Sequence, residues 1–477
     1  MCKFANAIHL YQVQFMKKLS KKSHFIAVIS FLLSISASAQ TGVQALSEAS
    51  IEPIQAPFDM PQLQRPAIPK RSISITQTGA RQGSLCTKAI AKAIDRMAKK
   101  GGGTVVVPQG KWLTGRITLK SNIELRIEKG AELHFSGNIN DYLPAVATRN
   151  EGVDVISLGA LVYAYKAENI ALTGQGKLVA PPRDCPIMQH AKGSIDEALQ
   201  QTPFNQRLFN STSTGVFLPV FFGPMYCKNV IVKGLTFENS LFWNLVPCYC
   251  ENVIIRGCTV SSRGIARTDG IDLDSSRNCL VEYTTLDTGD DCFTLKSGRG
   301  MDGKMKNMPT ENVVIRHCKV LSGVGGITIG SETAAMIRNV YAYDVTMKSP
   351  RYAFYFKTRR PRGGGGENLW FENIKVDSTS HTAINWDMLG SATYVGRQAE
   401  RFYKPETDVL KPVYRNIFFK DITINKCPAL IKAKGLPESP IENVSFENLQ
   451  ADNHDISLQD VGKFSMKWGK TNDNNHE

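Results

Sequence analysis

One pattern recurs along the chain: an asparagine, an apolar residue, then alternating apolar and polar positions. It reads KNVIVKGLTFENS around Asn229, ENVIIRGCTVSSR around Asn252, RNCLVEYTTLDTG around Asn278 and ENVVIRHCKVLSG around Asn312. It continues as RNVYAYDVTMKSP (Asn339), ENLWFENIKVDST (Asn368), RNIFFKDITINKC (Asn416) and ENVSFENLQADNH (Asn443), with earlier relatives at Asn122 and Asn169. From Asn229 to Asn443 the usual spacing is 23 to 29 residues, with gaps of 34 and 48 where loops intrude. Alternation with period two marks strands, and a unit this short cannot bury its own apolar face. Neighbouring units must therefore stack. Short strands and turns of this length predict an all-β chain, a single-stranded right-handed parallel β-helix whose equivalent positions lie about 4.8 Å apart from coil to coil. The asparagines are expected to form a ladder at one turn, bonding backbone groups of the next coil. A leucine-rich repeat is excluded by the absence of L-x-x-L-x-L.

Ahead of the repeats, LCTKAIAKAIDRMAKKGGG from Leu85 has helical apolar spacing and ends in three glycines, which predicts a short helix capping the open end of the stack. Lys17, Lys18, Lys21 and Lys22, an apolar run from Phe25 to Ile35, and Ala37-Ser38-Ala39 read as a secretory signal. The run is about half of the roughly 20 residues a bilayer requires. Cleavage near Ala39 would remove five lysines and no acids, lowering the formal charge from +14 to +9. The expected organisation is a signal peptide at 1–39, a linker at 40–70, the β-helix at 71–465 and a polar tail at 466–477, in a periplasmic or secreted protein that acts as a monomer. A basic exported protein without an Arg-rich arm suits an anionic polysaccharide better than nucleic acid. Cys227, Cys250, Cys258, Cys279, Cys292 and Cys318 fall among the repeats without metal spacing, and are expected to be mostly buried thiols.

Aligning GIDLDS, CFTLKS, GITIGS and AFYFKT places Ile271, Phe293, Ile327 and Phe354 in one inward column. Two residues earlier, Asp269 then lies over Asp291, with Asp290 beside it. Three carboxylates so close raise one another's pKa. An acid that keeps its proton beside carboxylates that stay ionised is what glycoside hydrolysis uses. Calcium binding, as in a lyase of the same architecture, is the other use of such a cluster, although Lys296 and Lys357 already flank it. A binding protein without turnover is a third possibility.

RTDGID, TGDDC, GVGGITIGSE, YFKTRR and NSLFWNLVP, in their places on a β-helix, resemble glycoside hydrolase family 28, the polygalacturonases, which share the pectin-lyase-like solenoid. The likeness runs from about Gly101 to Asn448. It implies hydrolysis of α-galacturonide linkages in pectic polymers with inversion, without cofactor or metal. It also implies Asp290 as general acid and Asp269 and Asp291 as the holders of the attacking water. Lys357 would grip a uronate carboxylate. Tyr355, Lys296, Trp243, Arg359, Trp386 and Tyr394 complete the expected substrate-binding set.

The chain departs from the family pattern at three points: Gly323-Val324-Gly325 replaces G-H-G, Tyr355-Phe356-Lys357 replaces R-I-K, and Val246 replaces a histidine. Losing the arginine removes a bidentate carboxylate partner, which favours a branched, mixed or rhamnogalacturonan-type substrate. The segments Pro181 to Phe222 and His381 to Pro412 are expected as cleft walls, the second favouring exo action. His190 and His381 are the histidines placed to replace the missing one.

Overall fold

The structure, a computed structural model, describes residues 51–469. The expected signal peptide and the start of the linker lie outside the described residues, as does most of the polar tail. Residues from Glu52 onward form one compact unit, a right-handed parallel β-helix built from a 25-stranded, almost wholly parallel sheet. Among the described residues, no helix is long and apolar enough to cross a membrane.

A coil of the central region contains three strands in a fixed order. The strand Ile271–Asp274 is followed by Arg277–Glu282 and Thr285–Asp287, and the next coil repeats the order from Phe293–Lys296. Each strand pairs in parallel with its counterpart one coil away, so alternation within a strand becomes inward and outward columns along the stack. Ile271 pairs with Phe293, Phe293 with Ile327 and Ile327 with Phe354, as the alignment requires. The column continues through Ile384 and Ile431. All are buried, each contributing about 1.5–3 kcal/mol.

The asparagine ladder exists, with one difference from expectation. Each side-chain amide donates to the amide oxygen of the asparagine one coil earlier, at 2.9 Å from Asn229 to Asn169 and 3.2 Å from Asn312 to Asn278. The bonds run from side chain to side chain because every rung adopts a left-handed backbone, φ 56° at Asn229 and at Asn312, which aligns the amides. Asparagine tolerates that region better than other non-glycine residues.

The helix Thr87–Ala98 lies at the N-terminal end and buries Ile90, Ala93, Ile94 and Met97, as its spacing predicts. The six repeat cysteines are buried free thiols. The described part of the linker is packed against the coils: the Arg316 guanidinium donates to the carbonyls of Pro53 and Glu52 at 3.1 and 3.0 Å, Phe58 meets Trp370 at 5.7 Å, and Ile54 and Leu63 are buried.

Replacing one rung tests the ladder. Asn312→Ala loses both amide bonds and places a Cβ-bearing residue without a local partner at φ 56°, which should cost about 1–3 kcal/mol. Asn312→Gly retains the backbone freedom and should lower the thermal midpoint less. Equal midpoints for the two variants would remove the backbone component.

Candidate active site

The acids lie just ahead of the strands, in the connections that lead into them. Asp269 precedes Ile271–Asp274, and Asp290 and Asp291 precede Phe293–Lys296. Backbone bonds fix the stagger, because the Gly270 N–H donates to the Asp291 carbonyl at 2.8 Å. The Thr288 hydroxyl donates to the Asp290 carbonyl at 2.7 Å and the Thr268 hydroxyl to Ile265 at 2.6 Å, tying down the two connections. One oxygen from each of Asp269, Asp290 and Asp291 lies within 4.8 Å of the others.

The three acids differ in surroundings. Asp269 and Asp291 are buried, and Asp290 is partly open. Asp291 Oδ2 accepts from Lys357 Nζ at 2.6 Å, while its other oxygen is buried without a hydrogen-bond partner. A side chain at Gly325 would sit 2.8 Å from that oxygen, so glycine there leaves it room. Burial, reinforced by Asp291 and opposed by Lys357 and Lys296, raises the Asp290 carboxyl above its ordinary value. Burial and then Asp272 push Asp269 well above it.

Under the acids lies a charge network that sequence reasoning reached only at Lys296. Lys296 Nζ stands 3.4 Å from Asp269, 3.3 Å from Asp272 and 3.4 Å from Glu332, with the Trp243 ring centroid at 4.2 Å. Burial alone would lower its pKa, but Asp272, Glu332 and Asp269 hold it well above normal. Glu332 also accepts from Arg299 at 3.2 Å and Arg362 at 2.8 Å. Its burial would raise it, yet Lys296, Arg362 and Arg299 pull it well below the usual carboxylate range. Asp272, 0% exposed, is raised to about 7 by burial against the pull of Lys296. A period-two reading could have found Asp272, which lies three residues after Asp269 and in the outward column with Thr294.

The expected substrate-binding residues divide. Tyr355 and Lys357 point outward, with Lys357 Nζ 4.6 Å from the Tyr355 ring and Tyr352 stacked on Tyr355 at 4.4 Å. Arg359 and Tyr394 meet at 4.9 Å, and Tyr394 is 64% exposed. Trp386 is a correction: it is 1% exposed and stacked on Phe356 at 4.5 Å inside the coil. The strand Ile384–Asp387 alternates Trp386 inward, so the second wall begins only after it. Trp243 and Lys296 are also too buried to touch a sugar directly; Lys296 stands beside Asp269, and the Trp243 ring lies against Lys296.

Val324 donates its backbone N–H to the Asp290 carbonyl at 2.8 Å, so it does stand one coil from the acid. Neither histidine replaces the imidazole. His190 Nδ1 is 2.9 Å from the Pro186 carbonyl, and His381 sits between Arg351 at 3.1 Å and Tyr352. The segment after Pro181 folds as short helical turns and a small hairpin; its Ile195 carbonyl and Glu197 receive Arg299 at 3.4 Å each.

Residues 210–450 match the family model for glycosyl hydrolases family 28. The chain belongs to this family. As a family 28 glycoside hydrolase it is 27% identical over 375 residues to a probable polygalacturonase of Vitis vinifera, covering 77% of this chain and 71% of that protein. It is 26% identical over 349 residues to an exo-poly-alpha-D-galacturonosidase of Dickeya chrysanthemi, covering 67% and 57%. A hyperthermoactive exopolygalacturonase from Thermotoga maritima superposes with TM-score 0.75 at 29% identity, over 85% of this chain and 94% of that one. The calcium-lyase alternative gives way to family membership, and two lysine ammonium groups already supply positive charge at the acids.

Asp272 makes stability depend on pH. Its folded-state pKa of about 7 lies above the unfolded 3.8, so between those values the folded chain holds a proton that the unfolded chain has lost. The contribution is complete below about pH 4 and is lost as pH rises through 7. Asp272→Asn should therefore gain on the parent in unfolding free energy, followed by denaturant titration from pH 4 to 7, by an amount on the order of a few kcal/mol, and the gain should flatten above 7. A constant difference across that range would refute the assignment.

Proposed function

We propose that the protein is an inverting hydrolase of α-galacturonide linkages in pectic polysaccharides or oligosaccharides, exo-acting or directed to a branched or rhamnogalacturonan-type substrate. The observation that carries this reading is the contrast among three neighbouring carboxyls. Asp290, partly open and raised in pKa, is suited to deliver its proton to the glycosidic oxygen. Asp291, ion-paired with Lys357, accepts a proton from water as that water attacks the anomeric carbon from the opposite face. Asp269, whose burial beside Asp272 favours its neutral form, orients the water. The bond from the anomeric carbon to the leaving oxygen breaks as the bond to water forms, and the proton ledger closes between Asp290 and Asp291.

Inversion rests on the family resemblance. The nearest oxygens of the acids lie within 4.8 Å, shorter than the roughly 6.5–9.5 Å between carboxyls general to inverting glycosidases. Exo action is supported by the likeness to exo-acting proteins of Thermotoga maritima and Dickeya chrysanthemi and by the wall after Asp387, which carries the exposed Tyr394 and Phe402. The leader ending near Ala39 would export the monomer to the periplasm or beyond, where pectic polymers are met.

With chelator present, the protein should release galacturonate or saturated galacturonides from a panel of homogalacturonan and rhamnogalacturonan fragments. Asp290→Asn should lower kcat about 10²- to 10⁴-fold, and NMR of the first product should show the inverted anomer. A product with the ultraviolet band of an unsaturated uronate would indicate elimination instead. Binding without turnover in parent and variant alike would identify a carbohydrate-binding β-helix.

A further inference from the structure

The position at which the resemblance expects a carboxylate-gripping arginine holds Tyr355, but a guanidinium stands four residues further along the same chain. Phe354 and Phe356 are buried, so Tyr355 and Lys357 point outward from the strand Thr333–Lys357, and Arg359, two residues beyond its end, meets the wall after Asp387 at Gly390 and Tyr394. Lys357 is committed to Asp291 at 2.6 Å. Arg359 has no such commitment.

The neighbouring arginines are paired with acids. Arg149 binds Asp274 at 2.9 Å, Arg267 binds Glu151 at 2.7 Å, Arg299 and Arg362 share Glu332, and Arg360 binds Glu438 at 2.7 Å. Arg359 has no carboxylate partner among the described residues, and its Nε is buried without a hydrogen bond. Two features of the inserted wall hold it in place. The Tyr394 ring lies 4.9 Å from the guanidinium carbon, and Gly390, φ 70°, lets the backbone approach so closely that a Cβ there would stand 2.9 Å from Nε. Arg362 is held below its ordinary pKa by burial, against the pull of Glu332, with Arg299 and Arg359 adding repulsion. An anion at Arg359 would relieve that repulsion.

We propose that Arg359, steadied by Tyr394, is the uronate-carboxylate grip of this chain, taking over at a displaced point the specificity that an arginine at 355 would give. The inference rests on the groove binding galacturonides. It moves the carboxylate-bearing sugar toward the inserted wall, while Tyr355 offers an aromatic face nearer the acids. A guanidinium fork reads a carboxylate bidentately and loses most of that on esterification.

The test uses the full chain carrying Asp290→Asn to block turnover. Calorimetry gives Kd for trigalacturonate and for its methyl ester, with and without Arg359→Ala. The expected result is a preference for acid over ester that falls about 10- to 100-fold when Arg359 is removed, falls partially with Arg359→Lys or Tyr394→Ala, and returns when Tyr355→Arg is added to Arg359→Ala. An unchanged preference, equal weakening toward both ligands, or no acid preference in the parent would overturn the proposal. Should Arg359→Ala fail to fold, the partial fall in Arg359→Lys and Tyr394→Ala decides in its place, and an unchanged preference in both overturns the proposal. Failure of the hydrolase reading is separately visible, as absence of turnover with Asp290 intact.

Discussion

The parallel backbone ladder between coils is the constraint on which everything else depends. Because Ile271, Phe293, Ile327 and Phe354 are held in one register, residues 22 to 34 apart in sequence become neighbours. A slip of one residue would turn a whole inward column outward. The asparagine bonds oppose such slips, since each joins a specific residue to its counterpart in the adjacent coil.

That rigidity permits an arrangement of charge that a softer fold could not hold. Asp269, Asp272, Lys296, Glu332, Arg299 and Arg362 are all buried, and isolated ions at such depth would be strongly disfavoured. The network survives because each cation faces several acids, and because burial raises Asp272 and Asp269 toward their neutral forms. The same balance leaves Asp290, at the open edge, with a raised pKa.

Much of this was legible in the sequence. Period-two alternation and the recurring asparagine give the coil, and the column alignment brings Asp269 to Asp291 and Val324 to Asp290. What escaped was set by geometry that spacing does not carry. Trp386 looks like a sugar platform by residue type, but strand parity turns it into the core. Glu332, Arg299 and Arg362 come from different connections and meet only in space. The side-chain form of the asparagine ladder depends on a left-handed backbone at every rung, which composition suggests without fixing.

The packed segment ahead of the first strand has a consequence for how the chain is assembled. A solenoid can grow by adding each coil to the one just formed. Arg316, however, receives the carbonyls of Glu52 and Pro53, 264 and 263 residues upstream, and Phe58 waits for Trp370. The earliest of these residues to be synthesised must therefore remain undocked until most coils exist. Their docking is a late closure with a large loop entropy, and it gives an otherwise nearest-neighbour fold a long-range latch.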